Sequence, residues 1–319
     1  MLNYLLIFII SLVLSIVIGF VVYKLSKKFH LSQTILHYVD KHAGKSGTPT
    51  MGGFTFIIAS AIAVLIFLGA DFTYSLFLIA IMLAYCILGF LDDFIKIKFH
   101  KNEGLKPYQK IIGQGSIAII VAVFVYLNIG STLDLFGLKL NLGFFIIPFI
   151  IIFYLAVTNA VNLLDGLDGL ASGVSGAYLL FFGVILALLG YQSYALFSFA
   201  LVGALIGFIL FNCFPAKIFM GDTGSLALGG IIATLAVFSG LELILVVIGI
   251  MYVLTALSDV LQVAYYKKTH KRIFKMAPLH HHFEQIGVHE NRIVAVYIVI
   301  TIVCGMGALV GYLFVTGVV

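Results

Sequence analysis

Five short strings carry most of the groups in this chain that could do chemistry. Asp92 and Asp93 adjoin at the end of an apolar run, in GFLDDFIK over residues 89–96. Neighbouring carboxylates at a membrane boundary repel each other unless a cation lies between them or one is protonated. Acids at a helix C-terminus also oppose the macrodipole, so two solvated helix-end acids explain the pair poorly. In NAVNLLDGLDG, residues 159–169, Asn162, Asp165 and Asp168 recur at every third position. That spacing predicts one side of a helical or 3₁₀ turn, while Gly166 and Gly169 would let the backbone approach a ligand closely. A polar connecting loop is the plainer reading, but this one carries two acids and no base.

Asp222 and Ser225, in FMGDTGS over 219–225, stand at a predicted helix start. An N-cap and a phosphate site built from free N–H groups are equally good readings there. PLHHHFE, residues 278–284, holds three consecutive histidines. Consecutive side chains diverge, so they share one ion poorly, and no cysteine is near for a zinc site. One or two of them read as hydrogen-bond partners of phosphate or sugar. Gly44-Lys45-Ser46 looks like a fragment of a P-loop, but Val39 occupies the position of its first glycine and no strand precedes it. The Gly/Thr/Pro turn from Lys45 to Gly53, with Thr50 inside it, still makes an anion cradle. Lys96, Lys106 and Lys110 add positive charge, with snorkelling to lipid head groups as the alternative. Hard carboxylate oxygens together with lysines suit Mg²⁺ and phosphates. The reaction class that fits is phosphoryl transfer, where catalysis is mostly positioning and charge neutralisation.

These groups need a scaffold, and the composition identifies one. Of 319 residues, 62% are hydrophobic and 10% charged. Soluble domains average about 45–50% and about 25%, and so few charges could not cover a water-facing surface. A net charge of +5 is weak evidence for nucleic acid, and three cysteines in apolar surroundings exclude a disulfide scaffold. Ten apolar runs are long enough to span a bilayer, near 2–23, 51–70, 73–91, 111–130, 143–158, 171–190, 193–211, 223–239, 241–264 and 293–316. An all-α polytopic membrane protein follows, a single integral-membrane domain over 1–319 with both termini on one side. Seventeen of the 18 Lys and Arg lie in the segments 24–50, 92–110, 212–222 and 265–292. The positive-inside rule puts those segments, all nine histidines and hence the chemistry at the cytoplasmic face, with extracytoplasmic termini. Lys139 alone falls opposite, in a predicted hairpin around Phe136-Gly137. Gly203 and Gly207 form a G-x-x-x-G suited to close helix packing.

In this order the five strings resemble the polyprenyl-phosphate N-acetylhexosamine-1-phosphate transferases. The PLHHHFE string narrows the resemblance to the phospho-N-acetylmuramoyl-pentapeptide transferase family, over nearly the whole chain. The resemblance implies that undecaprenyl phosphate attacks UDP-N-acetylmuramoyl-pentapeptide, giving lipid I and UMP with Mg²⁺ in the bacterial plasma membrane. It makes Asp222 the metal ligand, puts Asp92 and Asp93 at the lipid phosphate, and has Asn162, Asp165 and His280 complete the centre, with His281 beside the substrate. Gly166, Leu167, Asp168, Asn212 and Phe219 would hold the uridine, the Phe219 ring stacking on uracil. Lys45, Thr50, Lys96 and Lys110 would bind phosphates. The family is dimeric, so a homodimer is expected. Two rivals remain: a sister enzyme using UDP-N-acetylglucosamine, and a secondary transporter. Only Asp259 lies deep in a predicted span, which disfavours the transporter.

Overall fold

The computed structural model describes residues 1–29, 31, 47–67, 72–99, 104–315 and 317, so Lys45 lies outside the described residues. Twelve α-helices are described. In chain order they are α1 (Leu2–Lys28), α2 (Phe54–Ile66), α3 (Phe72–Lys98), α4 (Pro107–Asn128), α5 (Ile146–Leu164), α6 (Leu170–Leu188), α7 (Gln192–Asn212), α8 (Gly221–Ser239), α9 (Glu242–Ile248), α10 (Ile250–Thr269), α11 (Leu279–Gln285) and α12 (Glu290–Val315). Eight helical segments are long and apolar enough to cross a membrane, and α9 with α10 makes a ninth, bent by 83°. The remaining predicted run, 51–70, holds α2, a helix of 13 residues. The 241–264 run is thus two helices rather than one straight span. They break at Gly249, where an added Cβ would lie 2.6 Å from the Leu245 carbonyl oxygen.

Between α4 and α5, strands β1 (Thr132–Leu135) and β2 (Leu138–Asn141) pair antiparallel, with Asp134 opposite Lys139. Phe136 and Gly137 both have positive φ, 50° and 83°, as a two-residue type I′ hairpin turn requires. The hairpin read from the sequence is present.

Helix α8 is the centre of the bundle. Its spanning window is 89% buried against 22% for α1, so α1 presents a lipid-type surface and α8 a core one. Small residues let neighbours close on it. A Cβ at Gly230 would meet the Tyr85 ring of α3 at 2.3 Å, and one at Gly229 would meet Thr158 Cα of α5 at 2.8 Å. The predicted G-x-x-x-G works in the same way on α7. Gly203 abuts the Phe8 carbonyl of α1, and Ser15 of α1 donates to the Ala204 carbonyl at 2.6 Å.

The approach that matters most for chemistry is at Gly89 of α3, where a Cβ would lie 2.0 Å from the Asp222 carbonyl oxygen. Asp92 and Asp93 follow Gly89 by three and four residues on the same helix face. Hydrogen in place of a side chain at Gly89 therefore brings these acids against the first turn of α8. A Gly89→Ala substitution overpacks this crossing and is expected to cost ~1–3 kcal/mol, read as a lower thermal midpoint in detergent. Gly115→Ala, where nothing lies within 4 Å, is the control and should leave the midpoint unchanged or raise it. Equal midpoints for the two variants would contradict this packing.

Candidate active site

The first turn of α8 begins at Met220, whose side chain makes no capping bond. Its free amides are satisfied from other helices. Asp165, just past the end of α5, lies beside the Gly221 backbone. Asp93 of α3 accepts the Asp222 N–H at 3.2 Å through Oδ1 and the Thr223 N–H at 2.9 Å through Oδ2, which also takes the Thr223 hydroxyl at 2.7 Å. This helix start is therefore not an open phosphate site, because Asp93 already occupies the Asp222 and Thr223 amides. Gly221 makes the fit possible. It sits at φ +73°, and a Cβ there would lie 2.6 Å from Asp93 Oδ2 and 2.7 Å from Thr50 Oγ1.

The other two acids face a pair of ammonium groups. Lys96 Nζ lies 2.7 Å from Asp92 Oδ2 and 2.9 Å from Asp222 Oδ2. Lys110 Nζ lies 3.1 Å and 2.5 Å from the same two oxygens. Two carboxylate oxygens and two ammoniums thus form one cluster. Asp222 Oδ1 is held at 2.7 Å by the Asn162 amide, which also donates to Ser225 Oγ at 2.8 Å. Asp92 Oδ1 accepts the Leu105 N–H at 2.7 Å. Four carboxylates (92, 93, 165 and 222) face two lysines, a deficit of two positive charges when all are ionised. Burial, then the charges of Asp222, Asp93 and Asp168, hold the Asp165 carboxyl well above the usual carboxylate range.

Asp92, Asp93 and Asp222 each offer an oxygen within 4.8 Å of the others, so the donor set suits a hard divalent cation. Asp93 is the least available of the three, since both its oxygens hold α8.

Asn162 and Asp165 reach α8, but Asp168 points elsewhere, so the three do not line one face. Asp168 Oδ2 accepts the Ala216 N–H at 3.0 Å, and its own N–H donates to Glu290 Oε1 of α12 at 2.5 Å. Asn212 accepts from Ser172 at 2.9 Å and donates to the Ile218 carbonyl at 3.1 Å. Asp168 and Asn212 therefore shape the 212–220 loop. Phe219 leaves its ring half-buried while its backbone bonds Pro49 and Gly52. The Leu167 side chain belongs to the core, leaving only its backbone for a ligand. Thr50 is fully buried, and its hydroxyl has no hydrogen-bond partner among the described residues.

The histidine string forms helix α11. It docks on the 159–169 string, because a Cβ at Gly166 would lie 2.4 Å from His280 Nε2 and 2.9 Å from His281 Nε2. His281 Nδ1 lies 3.1 Å from Glu284 Oε2. His280 is fully buried, and neither ring nitrogen has a partner among the described residues. His282 turns away and accepts the Lys275 N–H. Lys106 is exposed at the start of α4, and Asp259 lies in a separate cleft of about 450 Å³ with Lys267, Arg272 and Lys275.

The family model described as glycosyl transferase family 4 matches residues 74–240, which include all four carboxylates of the cluster. The phospho-N-acetylmuramoyl-pentapeptide-transferase of Clostridium botulinum (strain Eklund 17B / Type B) is 45% identical over 292 residues, 91% of this chain and 90% of the relative. Those of Clostridium beijerinckii (strain ATCC 51743 / NCIMB 8052) and Thermoanaerobacter sp. (strain X514) are each 44% identical, covering 94% and 92% of this chain and 94% of each relative. The chain belongs to the phospho-N-acetylmuramoyl-pentapeptide-transferase family.

This transferase also uses residues that the sequence reading passed over. Gly89 sets the α3–α8 approach, Thr223 binds Asp93, and Glu290 holds the Asp168 backbone. The only sequence signal for Glu290 was an acid at a predicted helix start. His280 gives the site a pH signature. Burial, then the charge of His281, lowers its pKa from 6.5 to about 3. An unfolded chain takes up that proton near pH 6.5 and the folded one does not, so stability is full above that pH and falls as the pH drops toward 3. Thermal melts of the wild type should lose midpoint below pH 6.5. His280→Gln should lose less over the same range, and identical slopes would contradict a buried neutral imidazole.

Proposed function

We propose that this chain transfers phospho-N-acetylmuramoyl-pentapeptide from UDP-N-acetylmuramoyl-pentapeptide to undecaprenyl phosphate, forming lipid I and UMP for peptidoglycan. A non-bridging oxygen of the lipid phosphate attacks the β-phosphorus of the nucleotide sugar. The bond from that phosphorus to the bridging oxygen breaks, and UMP leaves with the electron pair. In a chain of this family, the cluster of Asp92 and Asp222 sharing Lys96 and Lys110 is the observation that carries this reading.

Mg²⁺, when bound, supplies the two missing positive charges and spreads charge from the phosphates. Asp222 would be its protein ligand, with Asp92 as a second carboxylate of the same cluster. Lys45, Thr50, Lys96 and Lys110 bind phosphate oxygens, the lysines supplying the counter-charge. Asn162 fixes the Asp222 carboxylate, and Asp93 holds the helix that carries it, with Asp165 beside that turn. A phosphate monoester has a second pKa near ~6 and is mostly dianionic at neutral pH, so it needs little help in attacking. Asp92 therefore orients the lipid phosphate first, with base catalysis second and a covalent aspartyl intermediate third. Gly166, Leu167, Asp168, Asn212 and Phe219 hold the uridine. His280, neutral and with both nitrogens unmet, completes the centre with His281.

The same reading assigns ten spans, counting α2 and the bent α9–α10 pair. Both termini are extracytoplasmic and the cluster faces the cytoplasm, in a homodimer embedded in the plasma membrane. The 17-to-1 division of basic residues supports that orientation.

Release of UMP from UDP-N-acetylmuramoyl-pentapeptide and undecaprenyl phosphate tests the reading. The wild type should need Mg²⁺, and Asp222→Asn should lose about 10²–10³-fold or more. UDP-N-acetylglucosamine supporting the reaction equally well would move the assignment to the sister enzymes. In single turnover, Asp92→Asn near the wild-type rate would eliminate both base and nucleophile at that position.

A further inference from the structure

A second cavity lies at the opposite end of α8 from the carboxylate cluster. It encloses about 650 Å³ and is bounded by the hairpin and the ends of the surrounding helices. That volume is in the range of small-molecule sites and far beyond what one metal ion needs. C-terminal ends of α4, α6 and α8 and N-terminal ends of α3, α5, α7 and α9 all border it, so most of their dipoles offset. Side chains must therefore set its electrostatic sign.

Asp134 and Lys139 both line the cavity and are cross-strand partners in the hairpin, so their charges balance. That leaves Glu242. Glu242 borders the same cavity with the residue only 2% exposed, and its buried Oε2 has no hydrogen-bond partner among the described residues. A carboxylate oxygen buried without a donor is costly, and a ligand that brings a donor and a positive charge removes that cost.

The apolar lining points to the same chemistry. Tyr74, Tyr194 and Phe238 line the cavity with their rings set against one another. Tyr74 stands 6.2 Å from Tyr194 at 82° and 6.3 Å from Phe238 at 81°, and Tyr194 lies 6.1 Å from Phe238 at 61°. Electron-rich ring faces beside a carboxylate attract ammonium groups.

We propose that this cavity binds an organic ammonium group, with Glu242 as its charge partner and the Tyr74–Tyr194–Phe238 ring cluster as its wall. The ammonium belongs either to a free amine or to an aminophospholipid head group; both present the same chemistry. Nothing in the phosphoryl-transfer reading requires this site, so the two stand or fall separately.

The test uses the full-length chain in detergent, at constant ionic strength. Ethanolamine hydrochloride should raise the thermal midpoint in a saturable manner, whereas its neutral analogue ethylene glycol should not. Nanodiscs of phosphatidylglycerol with and without phosphatidylethanolamine supply the second arm, read by lipid retained in native mass spectrometry. Stabilisation by ethanolamine alone identifies a free amine, and selective retention of phosphatidylethanolamine identifies the lipid. Glu242→Gln should weaken whichever is bound about tenfold or more and leave UMP release unchanged. If that variant does not fold, the ethanolamine–glycol comparison on the wild type decides alone. Equal effects of amine and glycol with no lipid selectivity, or undiminished amine binding by Glu242→Gln, would overturn the proposal.

Discussion

The structure depends on how the N-terminal amides of a buried helix are satisfied. Three N–H groups at the start of α8 have no acceptor within their own helix. Asp93 from α3 takes two of them, those of Asp222 and Thr223, and Asp165 from the end of α5 lies beside the same turn. The cap is thus assembled from tertiary contacts, and Gly89 and Gly221 exist where side chains would block it. Docking α3 and α5 onto α8 and building the reactive centre are one event, because the residues that close the helix adjoin the residues that face substrate.

That arrangement fixes the electrostatics. Capping consumes Asp93 and places Asp165 beside it, while Asp92 and Asp222 share Lys96 and Lys110. Four acids against two bases cannot all be ionised in a low-dielectric setting without help. The raised pKa of Asp165 is one partial relief, and a divalent cation is the other. Negative charge that is costly in this centre would thus become affinity for a divalent cation. The lysines then have a second role open to them, since a cation that takes over the carboxylates leaves their ammoniums for phosphate.

The sequence was legible where chemistry depends on residue type and illegible where it depends on which helices touch. Apolar run lengths located eight spans and the bent α9–α10 pair among the described residues, and the DD, NAVNLLDGLDG and HHH strings located the acids and histidines. Periodicity misread the 162–165–168 set, because α5 ends at Leu164 and the turn after it sends Asp168 toward α12. The α8 start looked like an anion site because nothing local shows that Asp93, 129 residues earlier, already fills it. Glu290 and Gly89 were missed for the same reason, as each matters only through a long-range partner. The break at Gly249 was hidden inside a uniformly apolar run, where composition carries no direction.

The central claim is that the α8 cluster is a divalent-cation site whose affinity resides in Asp222, with Asp93 tied up by the helix. Mn²⁺ titration of the detergent-solubilised chain, followed by electron paramagnetic resonance, tests this directly. The wild type should bind one Mn²⁺ per chain in competition with Mg²⁺, and Asp222→Asn should lose that signal while remaining folded. Undiminished Mn²⁺ binding by Asp222→Asn, or none by the wild type with or without nucleotide sugar, would contradict the account.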